Sequence, residues 1–272
     1  MLRIGIAGAA GRMGRNLVLA ITEDASAICL GAAFEHSQSP FLGFDAGQLA
    51  GISETLNVSI SSDFELGLDN VDILIDFTSP EATAYHAQLC AKKGVKLVVG
   101  TTGLNQEQKN ILLESSKKVA VCFAPNMSVG VNVLFKLVEI AAKVLADEVD
   151  IEIIEAHHRH KVDAPSGTAV RIGEIIADTL KRDLSSCAVY GRQGQTGARE
   201  RKTIGFETVR AGDIVGDHTV LFASDGERLE LTHRATNRMN FAKGAVRAAI
   251  WLQGKQYGLF DMQDILGLKE IN

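Results

Sequence analysis

The chain has 272 residues, 46% of them apolar and 22% charged, with 28 basic and 33 acidic side chains and a net charge of −5. These values exclude a disordered chain, which combines low hydrophobicity with high net charge, and a broadly basic nucleic-acid-binding surface. The length excludes a disulfide-stapled miniprotein and allows one or two domains with sizeable cores.

Glycine is abundant, at 26 residues, and proline scarce, at 4, against typical shares of ~7% and ~5%. That imbalance suits α/β loops that approach ligands closely. Cys29, Cys90, Cys122 and Cys187 show no CxxC or zinc-type spacing, so reduced thiols in a reducing compartment are expected. Met1–Gly8 reaches glycine too early for a signal-peptide apolar region, and no stretch approaches 18 uncharged apolar residues. A soluble cytoplasmic protein with no membrane or nucleic-acid partner is the expectation.

In chain order, the first third alternates strand-like and helical runs, the pattern of βαβ units. Strands are predicted at 2–7, 28–34, 71–77, 95–99 and 119–123, and helices at 12–21, 81–93 and 106–118. This gives at least five strands in one parallel sheet. Residues 37–60 lack periodicity and read as an irregular excursion. Beyond residue 128 the pattern becomes α+β: helices at 129–145 and 166–181, strands at 149–156, 202–210, 217–223 and 228–232, and a last amphipathic helix at 240–252. Residues 191–201 read as a loop.

The turn Gly8-Ala9-Ala10-Gly11-Arg12-Met13-Gly14 follows the first strand and opens the first helix. Glycines there permit a tight turn and close backbone approach, and the helix start supplies unpaired N–H groups to a dinucleotide pyrophosphate. The spacing GxxGxxG departs from the usual GxGxxG. Glu35, at the end of the second strand, stands where a carboxylate would accept hydrogen bonds from adenosine ribose hydroxyls. Together they favour a nicotinamide cofactor. The Glu35 charge would repel the 2′-phosphate of NADP. The adjacent His36 offers a hydrogen bond rather than an arginine's permanent charge, so NADH is mildly favoured and dual use with NADPH expected. The clusters Phe77–Pro80, Gly100-Thr101-Thr102-Gly103 and Ala124-Pro125-Asn126-Met127 lie at predicted strand ends, where ligands bind in open α/β sheets.

The sharpest feature is Glu155-Ala-His157-His158-Arg159-His160-Lys161-Val-Asp163-Ala-Pro165-Ser166-Gly167-Thr168. Five consecutive imidazole, guanidinium or ammonium groups repel one another, and an anionic partner is the natural compensation. A metal site, a solvated basic loop and a site for a small carboxylate substrate all fit such a run. The lack of HExxH or a cysteine pair weighs against metal. Ser166-Gly167-Thr168 at a helix start adds an anion-binding element.

The run EAHHRHKVDAPSGTA, with GAAGRMGR, IDFTSPE, VGTTG, APNMSVGVN and TVRAGDIVGDH, resembles the dihydrodipicolinate reductase family over nearly the whole chain. The resemblance implies an α/β fold: an N-terminal Rossmann-like parallel-sheet domain, 1–127, completed by the C-terminal segment 239–272. A central α+β domain, 128–238, would bind substrate and build a homotetramer. It implies NAD(P)H-dependent reduction of a cyclic dicarboxylate in diaminopimelate and lysine biosynthesis. Gly8 to Met13, Glu35, His36, Gly100 to Thr102 and Ala124 to Met127 correspond to cofactor contacts. His158, Gly167 and Thr168 correspond to substrate contacts, and His157 and Lys161 to the acid/base pair, with no metal. The chain departs from the family pattern at two positions, since many relatives carry arginine where His36 stands and some where Ser79 stands, and these departures weigh against a strong NADP preference.

Overall fold

A computed structural model describes residues 1–23 and 27–271; 24–26 and 272, which the expected domain ranges include, lie outside the described residues. The chain divides into two compact units, Met1–Val129 with Arg238–Asn272, and Gly130–Asn237.

The first unit is built on seven strands: β1 (Leu2–Ala7), β2 (Ile28–Phe34), β3 (Ile60–Ser61), β4 (Ile73–Asp76), β5 (Lys96–Val99), β6 (Ala120–Phe123) and, late in the chain, Gly258–Phe260. All pair in parallel in the order Gly258–Phe260, β6, β5, β4, β1, β2, β3. Both faces are covered, so the strands read as nearly continuous apolar runs. Ile4, Ile6, Ile73, Ile75 and Val98 are fully buried, each worth roughly 1.5–3 kcal/mol by removal from water.

The helices of this unit show their boundaries in sequence. The first, α1 (Arg12–Thr22), begins after the glycine turn. Next come the short α2 (Ala46–Ala50) and α3 (Phe64–Gly67). Then α4 (Pro80–Lys93) starts with Ser79 accepting from Ala82 N and proline in its first turn, and ends on Gly94 at φ +74. A reciprocal Asn105–Gln108 capping box opens α5 (Gln106–Ser116).

The excursion at 37–60 is more ordered than its composition suggests. The Asp45 carboxylate accepts from the backbone N–H groups of Gly47, Gln48, Leu56 and Val58. One side chain thus caps α2 and gathers the return of the loop.

In the second unit, α6 (Val129–Leu145) and α7 (Gly167–Thr179) pack on one face of a mixed five-stranded sheet. Its strands are β7 (Asp150–His157), β8 (Ala188–Tyr190), β9 (Ile204–Arg210), β10 (Gly216–Ser224) and β11 (Glu227–Ala235), ordered β11-β10-β7-β9-β8. Gly173 lets α7 approach closely, since a Cβ there would lie 2.5 Å from the Phe206 ring. A four-residue helix α8 (Leu184–Cys187) precedes β8. The loop at 191–201 is pinned: Arg192 and Arg199 both bind the Glu152 carboxylate. On the opposite sheet face Ile154 and Val209 remain 39% and 44% exposed.

The chain then returns to the first unit as α9 (Met239–Leu252), β12 (the strand Gly258–Phe260) and α10 (Met262–Ile265). Trp251 packs against the first unit's core, edge-on to Phe260. Among the described residues no helix is long and apolar enough to cross a membrane.

Candidate active site

The expected site residues fall into two groups, one in each unit. In the first unit, β1, β4, β5 and β6 are neighbours in one parallel sheet, so the segments after Ala7, Asp76, Val99 and Phe123 all stand along its carboxyl edge. Gly8, at φ +73, donates with Ala9 to the Phe34 carbonyl at 2.9 and 3.0 Å. Gly11 occupies the position before α1, and no side chain caps that helix start. Gly14 is needed for contact rather than φ: a Cβ there would lie 2.1 Å from the Gly8 oxygen.

Glu35 reaches this turn. Its Oε1 accepts from Ala10 N at 3.0 Å, and its Oε2 lies 4.0 Å from Nε2 of the exposed His36. Arg12 is exposed and Met13 half-buried beside them. A glycine turn against an uncapped helix, with a carboxylate held across it, fits a dinucleotide.

The next two segments are tied together by a buried network that sequence reasoning missed. The Asp76 Oδ1 accepts from Thr78 N at 2.9 Å and Thr78 Oγ1 at 2.6 Å, while Asp76 Oδ2 pairs with His86 Nδ1 at 2.7 Å. Thr101 Oγ1 accepts from Thr78 N and from Thr83 Oγ1. Asp76, Thr83, His86 and Thr101 are all buried. Gly100 leaves room for the Phe77 ring, which a Cβ would meet at 2.2 Å. Thr102 is exposed. In the last segment Ala124 and Met127 are buried, Pro125 is exposed, and Asn126 Oδ1 accepts from Ser128 N. The one signal for the network was an acidic residue ending the apolar run ILID.

In the second unit, alternation along β7 places Glu155 and His157 on the face that buries Ile151 and Ile153. His157 Nδ1 lies 2.5 Å from Glu155 Oε2. Arg210 NH1 and NH2 bind Glu155 Oε2 and Oε1 at 2.9 and 2.8 Å. Ser166 N donates to Glu155 Oε1 at 3.1 Å, and the Ser166 hydroxyl oxygen caps α7 by accepting from Ala169 N. Gly167 and Thr168 therefore form the first turn of α7, where a Cβ on Gly167 would meet nothing within 4 Å.

Lys161 Nζ donates to Asp163 Oδ1 at 2.8 Å, and Arg210 NH2 to the Asp163 carbonyl at 2.6 Å. His158 is anchored by its N–H on the Ile214 carbonyl, and its buried Nδ1 has no hydrogen-bond partner among the described residues. Arg210 and His218 lie in the run TVRAGDIVGDH, but the sequence reading gives neither of them a role. His218 Nε2 lies 2.9 Å from Ser166 Oγ, with its ring edge-on to His157 at 5.1 Å between centroids.

The electrostatics modify the expectation that this basic run needs an external anion. Burial pushes the His157 imidazole below its ordinary range, outweighing Glu155, which raises it. His218 is pushed down to about 3, by burial first and then by repulsion from His157. Burial raises the Glu155 carboxyl, but hydrogen bonds from Arg210 and His157 outweigh it and hold the group below the usual carboxylate range. The run thus carries internal counter-charges in Glu155 and Asp163, and His157 is neutral at neutral pH. Among the described residues no group of three His, Cys, Asp or Glu is placed to hold a metal ion.

A Rossmann-type parallel sheet with a glycine turn at its carboxyl edge, and a second unit that bears a buried histidine, a lysine and an open helix start, define the class of two-unit dinucleotide-dependent oxidoreductases. Residues 2–127 match the model for the N-terminus of dihydrodipicolinate reductase, and residues 130–266 that for its C-terminus. The chain belongs to the dihydrodipicolinate reductase family, whose reductases use a nicotinamide cofactor. It is 56% identical over 269 residues to the 4-hydroxy-tetrahydrodipicolinate reductase of Methylococcus capsulatus, covering 99% of both chains. It is also similar to the dipicolinate-bound dihydrodipicolinate reductase from Paenisporosarcina sp. TG-14, at 25% identity and TM-score 0.76 over 97% of this chain and 98% of that one. An amine dehydrogenase from Mycobacterium smegmatis shares the fold alone, at 12% identity and TM-score 0.59 over 94% of each chain.

Proposed function

We propose that the chain catalyses the NAD(P)H-dependent reduction of 4-hydroxy-2,3,4,5-tetrahydrodipicolinate to 2,3,4,5-tetrahydrodipicolinate with loss of water, in diaminopimelate and lysine biosynthesis. The observation that carries this reading is 56% identity to a reductase of that name over 99% of both chains. In this reading Gly8 to Met13 hold the pyrophosphate, Glu35 and His36 meet the adenosine ribose, and Gly100 to Thr102 with Ala124 to Met127 line the rest of the cofactor site.

The hydroxyl leaves as water together with a proton from the adjacent ring carbon, and the nicotinamide, when bound, would supply hydride to the carbon that carried the hydroxyl, leaving an enamine. Lys161 Nζ delivers a proton to the adjacent ring carbon, and His157 orients the ring and relays that proton. His158 and the open first turn of α7 at Gly167 and Thr168 hold the two carboxylates. That role is supported by the unpartnered His158 Nδ1 and by the backbone N–H groups and dipole of a helix start.

The Glu35 carboxylate stands against a 2′-phosphate, and the neighbouring His36 offers no permanent charge to offset it. NADH is therefore expected to be oxidised at least as fast as NADPH. The test supplies each reduced cofactor separately, generates substrate in place from pyruvate and aspartate semialdehyde with a coupling synthase, and follows nicotinamide absorbance. Oxidation that depends on the synthase is the expected result. No oxidation of either cofactor by folded protein overturns the assignment.

The exposed Ile154 and Val209, on the sheet face that α6 and α7 leave bare, support self-association of the second unit into a homotetramer, and an enzyme of this biosynthetic reaction is expected in the cytoplasm. Light scattering is expected to give four times the 29.2 kDa chain mass; a monomer would remove this reading.

A further inference from the structure

We propose that Glu155 and Arg210 are positioning residues for this reaction: together they fix which nitrogen of His157 carries the proton and lock that ring to the start of α7. The proposal rests on the reading that His157 belongs to the reaction site.

All hydrogen-bonding capacity of the Glu155 carboxylate is directed at parts of the site. The side chain is 1% exposed, and its two oxygens take four donors. Oε2 meets His157 Nδ1 and one guanidinium nitrogen of Arg210. Oε1 meets the other guanidinium nitrogen and the backbone N–H of Ser166, the residue before Gly167 and Thr168. Arg210 then extends the framework through the Asp163 carbonyl, next to the carboxylate that holds Lys161. Removing the carboxylate would release His157, the α7 start and the Lys161 turn at once.

The proton assignment follows from valence. An ionised carboxylate only accepts, so the ring nitrogen 2.5 Å away must donate to it. A neutral His157 is then the Nδ1–H tautomer, and Nε2 keeps its lone pair. Nε2 lies beside Gly216, where a Cβ would come within 3.0 Å of it, so a residue without a side chain keeps that nitrogen clear. The ring therefore presents an acceptor rather than a donor, unlike the ammonium of Lys161. Arg210 is what allows Glu155 to stay ionised while buried, because a bidentate guanidinium offsets the loss of hydration.

The charged or titratable groups facing His157 are Glu155 on its own strand, Arg210 from β9, His218 from β10 and Lys161 from the turn after β7. Of these Glu155 alone favours the protonated ring. Glu155→Gln removes that charge and leaves Arg210 unneutralised, so the pH midpoint assigned to His157 in the kcat profile should move to lower pH. We expect kcat to fall about tenfold or more through loss of the oriented acid/base group, with the Kd for NADH unchanged.

A second measurement does not depend on the variant folding. Nitrogen chemical shifts of imidazole-labelled wild-type protein at neutral pH should show His157 protonated at Nδ1 and bare at Nε2. A bare Nδ1, or a Glu155→Gln enzyme with wild-type kcat and an unmoved midpoint, overturns the proposal. His157→Gln separates the two levels. If it loses activity while Glu155→Gln does not, the positioning role fails and the site assignment stands; if His157→Gln is also fully active, both fall.

Discussion

Lys161→Ala is expected to lower kcat by a factor on the order of 10² or more, the usual cost of losing a general acid, while leaving the Kd for NADH unchanged. In the proposed reaction His157, pushed by burial below its ordinary range and with Nδ1 against the Glu155 carboxylate, offers no proton at Nε2, and the Lys161 ammonium is the proposed proton source. The side chain is 21% exposed, with its Nζ steadied by Asp163, so it is accessible to substrate yet oriented. NADH affinity should survive because Lys161 belongs to the second unit and the dinucleotide turn to the first. Rapid-quench or steady-state kcat, with NADH titrated separately by fluorescence, checks both halves. A comparable loss of NADH affinity would place Lys161 at the cofactor instead.

Gly14→Ala should damage the first unit more than any exposed substitution. Two effects oppose each other. Alanine favours a helix over glycine by up to about 1 kcal/mol, but the new Cβ would lie 2.1 Å from the Gly8 oxygen and 2.6 Å from the Ala9 Cα. Those are backbone atoms, which cannot rotate aside as a side chain can, so the clash dominates. Overpacking of this kind costs about 1–3 kcal/mol or more. Because the displaced atoms form the turn proposed to hold the pyrophosphate, NADH affinity should fall about tenfold or more, equivalent to ~1.4 kcal/mol. Gly254→Ala, where a Cβ meets nothing within 4 Å, is the control and should leave melting temperature and NADH affinity unchanged. Wild-type values for Gly14→Ala would refute the steric account.

The features legible in sequence were those written in consecutive residues. The glycine turn, the strand before it and Glu35 at the end of β2 follow from period and punctuation, and the run from Glu155 to Thr168 is a single segment. Arg210 was not legible, because its place beside Glu155 depends on the β7–β9 register that sets His157 opposite it. His218 similarly faces Glu155 across β10. No local pattern records such pairings. The strands β3, β8 and β12, two or three residues each, are too short for alternation to register, so with β3 and β12 a sheet read as five or more strands has seven, and with β8 the second sheet has five where four were read. The excursion at 37–60 escaped because a single carboxylate, Asp45, organises it where periodicity is lacking. Asp76 and His86 lie on different elements and meet only after α4 has folded back along β4.

The return of the chain to the first unit sets an order on its synthesis. Helix α9 covers β4, β5 and β6 and packs along α1, and β12 supplies the sheet's last edge. Until Leu252 has left the ribosome, Leu17, Val18 and Ile21 of α1, which share a core cluster with Ala245, Ala248 and Ala249, lack that cover. Counted from Val129, where the first stretch of that unit ends, this interval is roughly 6–25 s at typical rates of ~5–20 residues per second. The second unit, written as one uninterrupted stretch, has all its residues in hand throughout the last part of that wait. Termination anywhere before Met239 would leave the amino-terminal sheet without this cover, its apolar face open to solvent.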